Sequence, residues 1–108
     1  MSILYEDRYV VCDDVAMTIK AYYFPLGSKR IAYSDIREVS EKNLGPLGGQ
    51  FRIWGMGFEP YWYHYDAQRM SKNKEIVLDL GNPVNPILTP EDHDLVFQLL
   101  QEKIRGDV

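Results

Sequence analysis

The chain has 108 residues, 45% hydrophobic and 26% charged, enough for one self-sufficient core, which excludes two separate lobes and wholesale disorder. A formal net charge of -4 argues against a general affinity for nucleic acid or anionic membrane, because phosphate binding needs a clustered positive field. A single cysteine, Cys12, excludes an intramolecular disulfide, and without a C-x-x-C pair the expected compartment is a reducing one.

The N-terminal MSILYEDRYVVCDD carries Glu6 and Asp7 and no long apolar run, so neither a signal peptide nor a transmembrane helix is expected and the reading is cytoplasmic, with one domain over 1–108. From Glu6 to Phe24 the pattern is strand-like: Tyr9 and Val11, then Met17, Ile19, Ala21 and Tyr23, fall on alternate positions, and Asp13-Asp14 supplies the turn between two strands. Pro25-Leu26-Gly27-Ser28 follows as a tight hairpin connection, then a strand from Lys29 through Tyr33. Ser34-Asp35-Ile36 reads as a short side-chain-stabilised turn before Ile36 and Val39 re-enter the sheet.

Residues 43–49 are the most glycine-rich stretch and form a connection; they lack the Lys-Ser/Thr and the following helix of a phosphate loop. Phe51 to Trp54 and Glu59 to Tyr65 are expected to be aromatic strands joined through Gly55-Met56-Gly57. Residues 67–73 are a polar, basic loop, and Lys74 to Leu80 is a strand stopped by Gly81-Asn82-Pro83. The helix signal comes last: Thr89 as N-cap, Pro90 at the first helical position, Glu91 and Asp92 in the first turn. Leu95, Val96, Leu99, Leu100 and Ile104 form its apolar stripe, with Gly106 as the stop.

Short strands followed by one amphipathic helix make the chain mainly β and allow several small barrels and rolls. Ile31-Ala32-Tyr33-Ser34-Asp35-Ile36 and Ile87-Leu88-Thr89-Pro90-Glu91-Asp92, in this order, resemble two segments of the bacterial pleckstrin-homology-like domain family, whose roles are mostly unassigned. The resemblance implies a β-roll or barrel of about seven antiparallel strands with one C-terminal amphipathic α-helix plugging an open corner. Some bacterial members assemble into rings, so the resemblance also implies a homo-oligomer. Basic residues beside the first hairpin serve phosphoinositide binding in eukaryotic relatives; here Asp13 and Asp14 stand there and would repel that ligand.

Neither His64 nor His93 lies at a metal-ligand spacing, no G-x-S-x-G elbow is present, and the acids of 91–94 suit a helix start, so no catalytic residue, metal or cofactor is expected. Cys12 reads as a buried, inert thiol. The aromatic stretch is different. Phe51 to Tyr65 holds seven of the fourteen aromatic residues; alternation puts Tyr61, Tyr63 and Tyr65 on one strand face and Trp62 and His64 on the other. A domain this small cannot bury both faces in a single barrel interior. Either loop residues such as Leu44, Leu47 and Met56 cover the outer rings, or Trp54, Tyr61, Trp62 and Tyr63 form a contact surface. Arg69, Lys72 and Lys74 would flank that surface.

The expected function is therefore non-enzymatic protein interaction or self-association through the aromatic surface. An alternative is peripheral binding of anionic lipid or an acidic ligand through Arg69, Lys72 and Lys74. A third is a small-molecule enzyme or sensor using a barrel mouth.

Overall fold

The structure, a computed structural model, describes residues 2–23, 27–43, 54–56, 61–66, 69 and 72–105. The chain begins with a strand that the alternation did not reveal, β1 (Ile3–Glu6), because three of its four residues face solvent. Asp7 then turns the chain: its Oδ1 accepts the backbone N–H groups of Tyr9 and Val10, both at 2.8 Å. The same device recurs after β2 (Val10–Asp13), where Asp13 Oδ1 accepts from Val15 and Ala16, both at 2.9 Å, and starts β3 (Ala16–Ile19). Asp13 is thereby fixed as a turn residue. The anticipated Asp13-Asp14 turn is present.

β3 ends earlier than its alternation suggests. Lys20 N–H binds the Tyr9 carbonyl and Ala21 adopts φ 57, which shifts the face sequence so that Tyr22 is buried at 6% exposure and Tyr23 is exposed at 50%. Tyr23, expected inside with Ile19, is therefore outside. β4 (Lys29–Ala32) completes an antiparallel meander, β1-β2-β3-β4. A 3-10 turn over Tyr33–Asp35 carries the chain to a second sheet, and neither Ser34 nor Asp35 caps it with a side chain.

That second sheet contains β5 (Glu38–Asn43), β6 (Gly55–Met56), β7 (Tyr61–Tyr63), β8 (Lys74–Asp79) and β9 (Asn85–Leu88), in the order β5-β8-β9-β7-β6. β5 and β8 pair over their full length, from Glu38 opposite Asp79 to Asn43 opposite Lys74. β7 and β9 run parallel, Tyr61 beside Asn85 and Tyr63 beside Ile87. Among the described residues the strands form two sheets, of four and five, with one parallel pairing, so the expected barrel is not closed and its strands are not all antiparallel. A backbone bond from Tyr65 N–H to the Ala21 carbonyl, at 3.0 Å, joins the chain after β7 to the chain after β3.

The helix α1 runs from His93 to Arg105, starting later than Thr89-Pro90 would place it. Asp92 is the cap, its Oδ1 accepting Leu95 N–H at 3.2 Å. Thr89 cannot cap because its N–H, hydroxyl and carbonyl are all engaged elsewhere, by His64, Asp66 and Lys72. Val96 and Leu100 are fully buried and Leu99 and Ile104 partly so, whereas Leu95, expected in the stripe, is exposed. Val96 and Leu100 join Val10, Met17, Ile19, Ile76, Leu78 and Leu88 in the main core between the sheets and the helix. Truncating a fully buried leucine such as Leu100 costs about 2–5 kcal/mol.

A second, smaller cluster of Tyr63, Val77 and Ile87, with Tyr61 against it, lies apart from the main core. Trp62 and Tyr65 pack on the main core instead. The aromatic residues of β7 are thus divided between two clusters, in keeping with the expectation that a single barrel interior cannot bury both faces. The glycine-rich 44–49, the strand expected at 51–53, and Gly106 lie outside the described residues. Among the described residues no helix is long and apolar enough to cross a membrane.

Candidate functional site

Tyr22, placed by the left-handed Ala21, is the point on which the aromatic region is built. Its carbonyl accepts two indole N–H groups, Trp54 Nε1 at 2.9 Å and Trp62 Nε1 at 2.8 Å. A carbonyl oxygen has two lone pairs, and both are used here. The indoles meet edge to face at 5.3 Å, Tyr22 lies 5.9 Å from Trp62, and Tyr23 stands edge-on to Tyr22 at 5.0 Å. Each such pair contributes about 0.5–1.5 kcal/mol beyond area burial. The tryptophans thus join the end of the first sheet to β6 and β7.

Rings remain on show all the same. Trp54 is 37% exposed and Val84 is 38% exposed. A groove of about 190 Å³ runs here between Tyr22, Tyr23, Trp62, Val84 and Pro86, with Lys29 at its rim. The Lys29 ammonium sits 5.6 Å from the centre of the Tyr22 ring. This volume lies below the roughly 300–1,000 Å³ of ordinary metabolite pockets, so it suits one or two side chains of a larger partner.

The other expected site residues lie elsewhere. Tyr61 is half-buried under the Lys42 ammonium, 4.7 Å from its ring centre, and Tyr63 is buried at 3%. Arg69 and Lys72, expected on a solvated loop beside the tryptophans, point inward: Arg69 is 1% exposed and the Lys72 side chain 15%. Only Lys74, at the start of β8, is exposed. The three bases do not form a surface patch.

Arg69 and Lys72 belong to a buried polar network at the ends of β7 and β9. Asp66 accepts Lys72 Nζ at 2.7 Å and the Thr89 hydroxyl at 2.6 Å, and Lys72 Nζ also donates to the Thr89 carbonyl at 2.6 Å. Arg69 Nη2 donates to the His64 carbonyl at 3.0 Å while its guanidinium lies 5.1 Å from the Tyr63 ring centre. Tyr63 in turn donates its hydroxyl to Glu75 Oε2 at 3.3 Å. His64 Nε2 accepts Thr89 N–H at 3.2 Å, and its Nδ1–H faces the Tyr65 carbonyl at 2.9 Å. Burial, and then the Arg69 charge, push the His64 pKa down to about 4, so the ring is neutral.

Sequence reading missed His64, Asp66, Glu75 and Thr89 as partners. The available signal was the balance of signs: Asp66 and Glu75 against Arg69 and Lys72 within ten positions. His64, Asp66 and Thr89 are each at 0% exposure, so no substrate reaches them in this conformation and their chemistry is to hold β7, β9 and the helix entry together.

Two further groupings fall at the helix start. Tyr5, Asp7, Glu91, Asp92 and Lys74 line an open depression of about 690 Å³, where Asp7 accepts Glu91 N–H at 2.8 Å. Burial opposes ionisation of Asp7, yet its hydrogen bonds from Tyr5, Glu91, Tyr9 and Val10 outweigh it and hold the carboxyl below its ordinary value. Glu41, His93 and Asp94 bring possible metal-ligand atoms within 4.8 Å of one another, a grouping that histidine spacing does not reveal. His93 Nε2 and Glu41 Oε1 already pair at 2.6 Å, and the hydrogen bond holds the Glu41 carboxyl below its ordinary value. The Lys74 charge beside Glu41 and the positive end of the helix both oppose a cation there. Cys12 is fully buried, and burial pushes its thiol up to about 11.

No protein-family model, curated protein or solved structure matches the chain.

Proposed function

We propose that the chain is a non-enzymatic protein-interaction domain whose working surface is the groove of Tyr22, Tyr23, Trp62, Val84 and Pro86, with Trp54 beside it. One observation carries this reading: the indole N–H groups are spent on the Tyr22 carbonyl, while Tyr23, Trp54 and Val84 leave apolar surface in water. Aromatic surface of this kind supplies binding energy at interfaces by burial against a partner. A pleckstrin-homology-like architecture in a cytoplasmic protein is part of the proposal. A β-rich body followed by one helix supports it, and the parallel β7–β9 pairing departs from it.

Val84→Asp tests the surface at an exposed side chain, and Tyr23→Ala does so at the cost of about 0.5–1.5 kcal/mol of edge-to-face packing on Tyr22. Folded, monodisperse variants that lose association, whether with a captured partner or as a change in solution mass by light scattering, support the reading. Unchanged association in both variants sinks it. The lipid-binding alternative loses its support with Arg69 and Lys72 engaged in the interior.

A further inference from the structure

The sheet edges β1, β4 and β5 differ in how they are protected. β4 carries Lys29 and Arg30 and β5 carries Lys42, charged side chains of the kind that keep foreign strands off an open ladder. β1 has neither lysine nor proline, and of these three edges it alone exposes large apolar side chains, Ile3 at 60% and Leu4 at 45%. Its inner side pairs with β2, and among the described residues no strand pairs with its outer side. Alternate backbone N–H and C=O groups of an edge strand point out of the sheet, and an extended chain laid beside them completes their hydrogen bonds. Past a register shift between Ile3 and Tyr5 the ladder is regular, with Tyr5 opposite Cys12 and Glu6 opposite Val11.

The charge at this edge has one sign. β1 ends at the open depression of about 690 Å³ that it shares with the start of β8 and the helix start. Glu6, Asp7, Glu91, Asp92 and Asp94 line it, with Lys74 opposed to them and His93 taken up by Glu41 at 2.6 Å. Lys20 pairs with Glu6 at 3.5 Å and Arg8 is exposed next to Asp7, so five carboxylates against three bases still leave two negative charges. The helix N-terminus offsets about half a charge more, which does not reverse the sign. Glu91 and Asp94 form no salt bridge among the described residues. A basic chain is attracted to this place and an acidic one repelled.

We infer that the outer edge of β1 is a second docking surface, separate from the aromatic groove, and that its occupant is an extended basic segment of a partner protein. The segment adds a strand to the first sheet and covers Ile3 and Leu4. Its Lys or Arg side chains lie against the carboxylates at the end of β1. Backbone pairing selects the extended form, and the charge selects the basic sequence and sets its direction.

The test uses the full chain and capped probe peptides, followed by amide chemical-shift changes. Two are Lys-Val-Lys-Val-Thr-Val and the reversed Val-Thr-Val-Lys-Val-Lys, since a strand can add in either direction. In whichever order binds, a third peptide replaces both lysines by glutamate. Two more keep every side chain but carry N-methyl groups on alternate amides, one on the odd positions and one on the even. The expected result is binding of one lysine order with shift changes over residues 2–7, weakened at least about fivefold in the glutamate peptide. One N-methyl pattern should lose at least about tenfold through its missing backbone bonds while the other, whose methyl groups point away from β1, binds nearly as before. Glu6→Lys should weaken the lysine peptide about twofold to fivefold and narrow its lead over the glutamate peptide, a change of preference that loss of fold cannot imitate. Equal binding of the lysine and glutamate peptides overturns the inference, as do equal losses in the two N-methyl patterns, shift changes confined to residues away from β1 and the depression, or no binding by any peptide. Concentration-dependent shifts over residues 2–7 without peptide would give the edge to a second copy of the chain and overturn it as well.

Discussion

His64 should set the acid sensitivity of this fold. In the native state its Nε2 accepts Thr89 N–H and its Nδ1 donates to the Tyr65 carbonyl, so a second ring proton at Nε2 would face another donor. Burial adds to this and holds the native pKa at about 4, against 6.5 for a free side chain. The unfolded chain therefore binds a proton that the native chain refuses between those values. Stability is fully present above pH 6.5 and falls as the pH drops toward about 4. The whole effect is roughly 3 kcal/mol, of which roughly 1 kcal/mol is already lost near about pH 5.5. A domain of ordinary stability, about 5–15 kcal/mol, would register this plainly.

The assay is urea unfolding by circular dichroism at about pH 7, 5.5 and 4.5 for the natural chain and for His64→Gln. A glutamine oxygen can accept Thr89 N–H but takes up no proton, so the variant starts roughly 1–2 kcal/mol weaker through its lost Tyr65 contact and then loses less with acid. Asp7 and Asp13, whose carboxyls are held below their ordinary value of 3.8, lose their contributions at lower pH and do so equally in both proteins. Parallel loss of stability in the two proteins between about pH 7 and 5.5 would refute the account.

Arg69→Leu should destabilise by about 3–5 kcal/mol in urea unfolding at neutral pH, because it leaves the buried charge balance with Glu75 and Asp66 broken; a change below about 1 kcal/mol would place Arg69 in solvent. Asp92→Ala should cost about 1 kcal/mol as loss of a helix cap, and Thr89→Ala more, about 1–3 kcal/mol, because the buried Asp66 carboxylate loses one of its hydrogen bonds. The reverse order of these two would contradict the buried contact between the Thr89 hydroxyl and Asp66. Cys12 should resist a thiol-specific reagent in the native protein and react only at the rate of unfolding, and quick native labelling would contradict its burial.

What could be read from the sequence was local. The Asp13 turn, β4, β8 and the apolar stripe of Val96, Leu99, Leu100 and Ile104 follow from short-range chemistry, and the structure contains each of them. The exchange of Tyr22 for Tyr23 hangs on one backbone angle at Ala21, which side-chain alternation does not encode. The parallel pairing of β7 with β9 joins strands more than twenty residues apart, with β8 between them in the chain, and only the completed sheet specifies it. Arg69 and Lys72 read as a solvated turn because charge is normally exposed; Asp66 beside Lys72 is a local hint, but the uncharged partners that complete their burial, the carbonyls of Thr89 and His64, advertise nothing in the sequence. Of the candidate binding residues, Trp54 and Trp62 remain at the proposed groove, while Tyr63 and Arg69 became interior.

The two indoles sharing the Tyr22 carbonyl make this chain its own optical gauge. They are the only tryptophans present, and at 5.3 Å, nearly perpendicular, their electronic transitions couple. Such coupling produces paired circular-dichroism bands of opposite sign that depend on both rings keeping their relative pose, independently of the helix signal from residues 93–105. Both indoles lie on the β6–β7 side and share the Tyr22 carbonyl of the first sheet, so loss of that acceptor would free their relative pose and change the couplet, and a ligand entering beside Trp62 would alter it without any label.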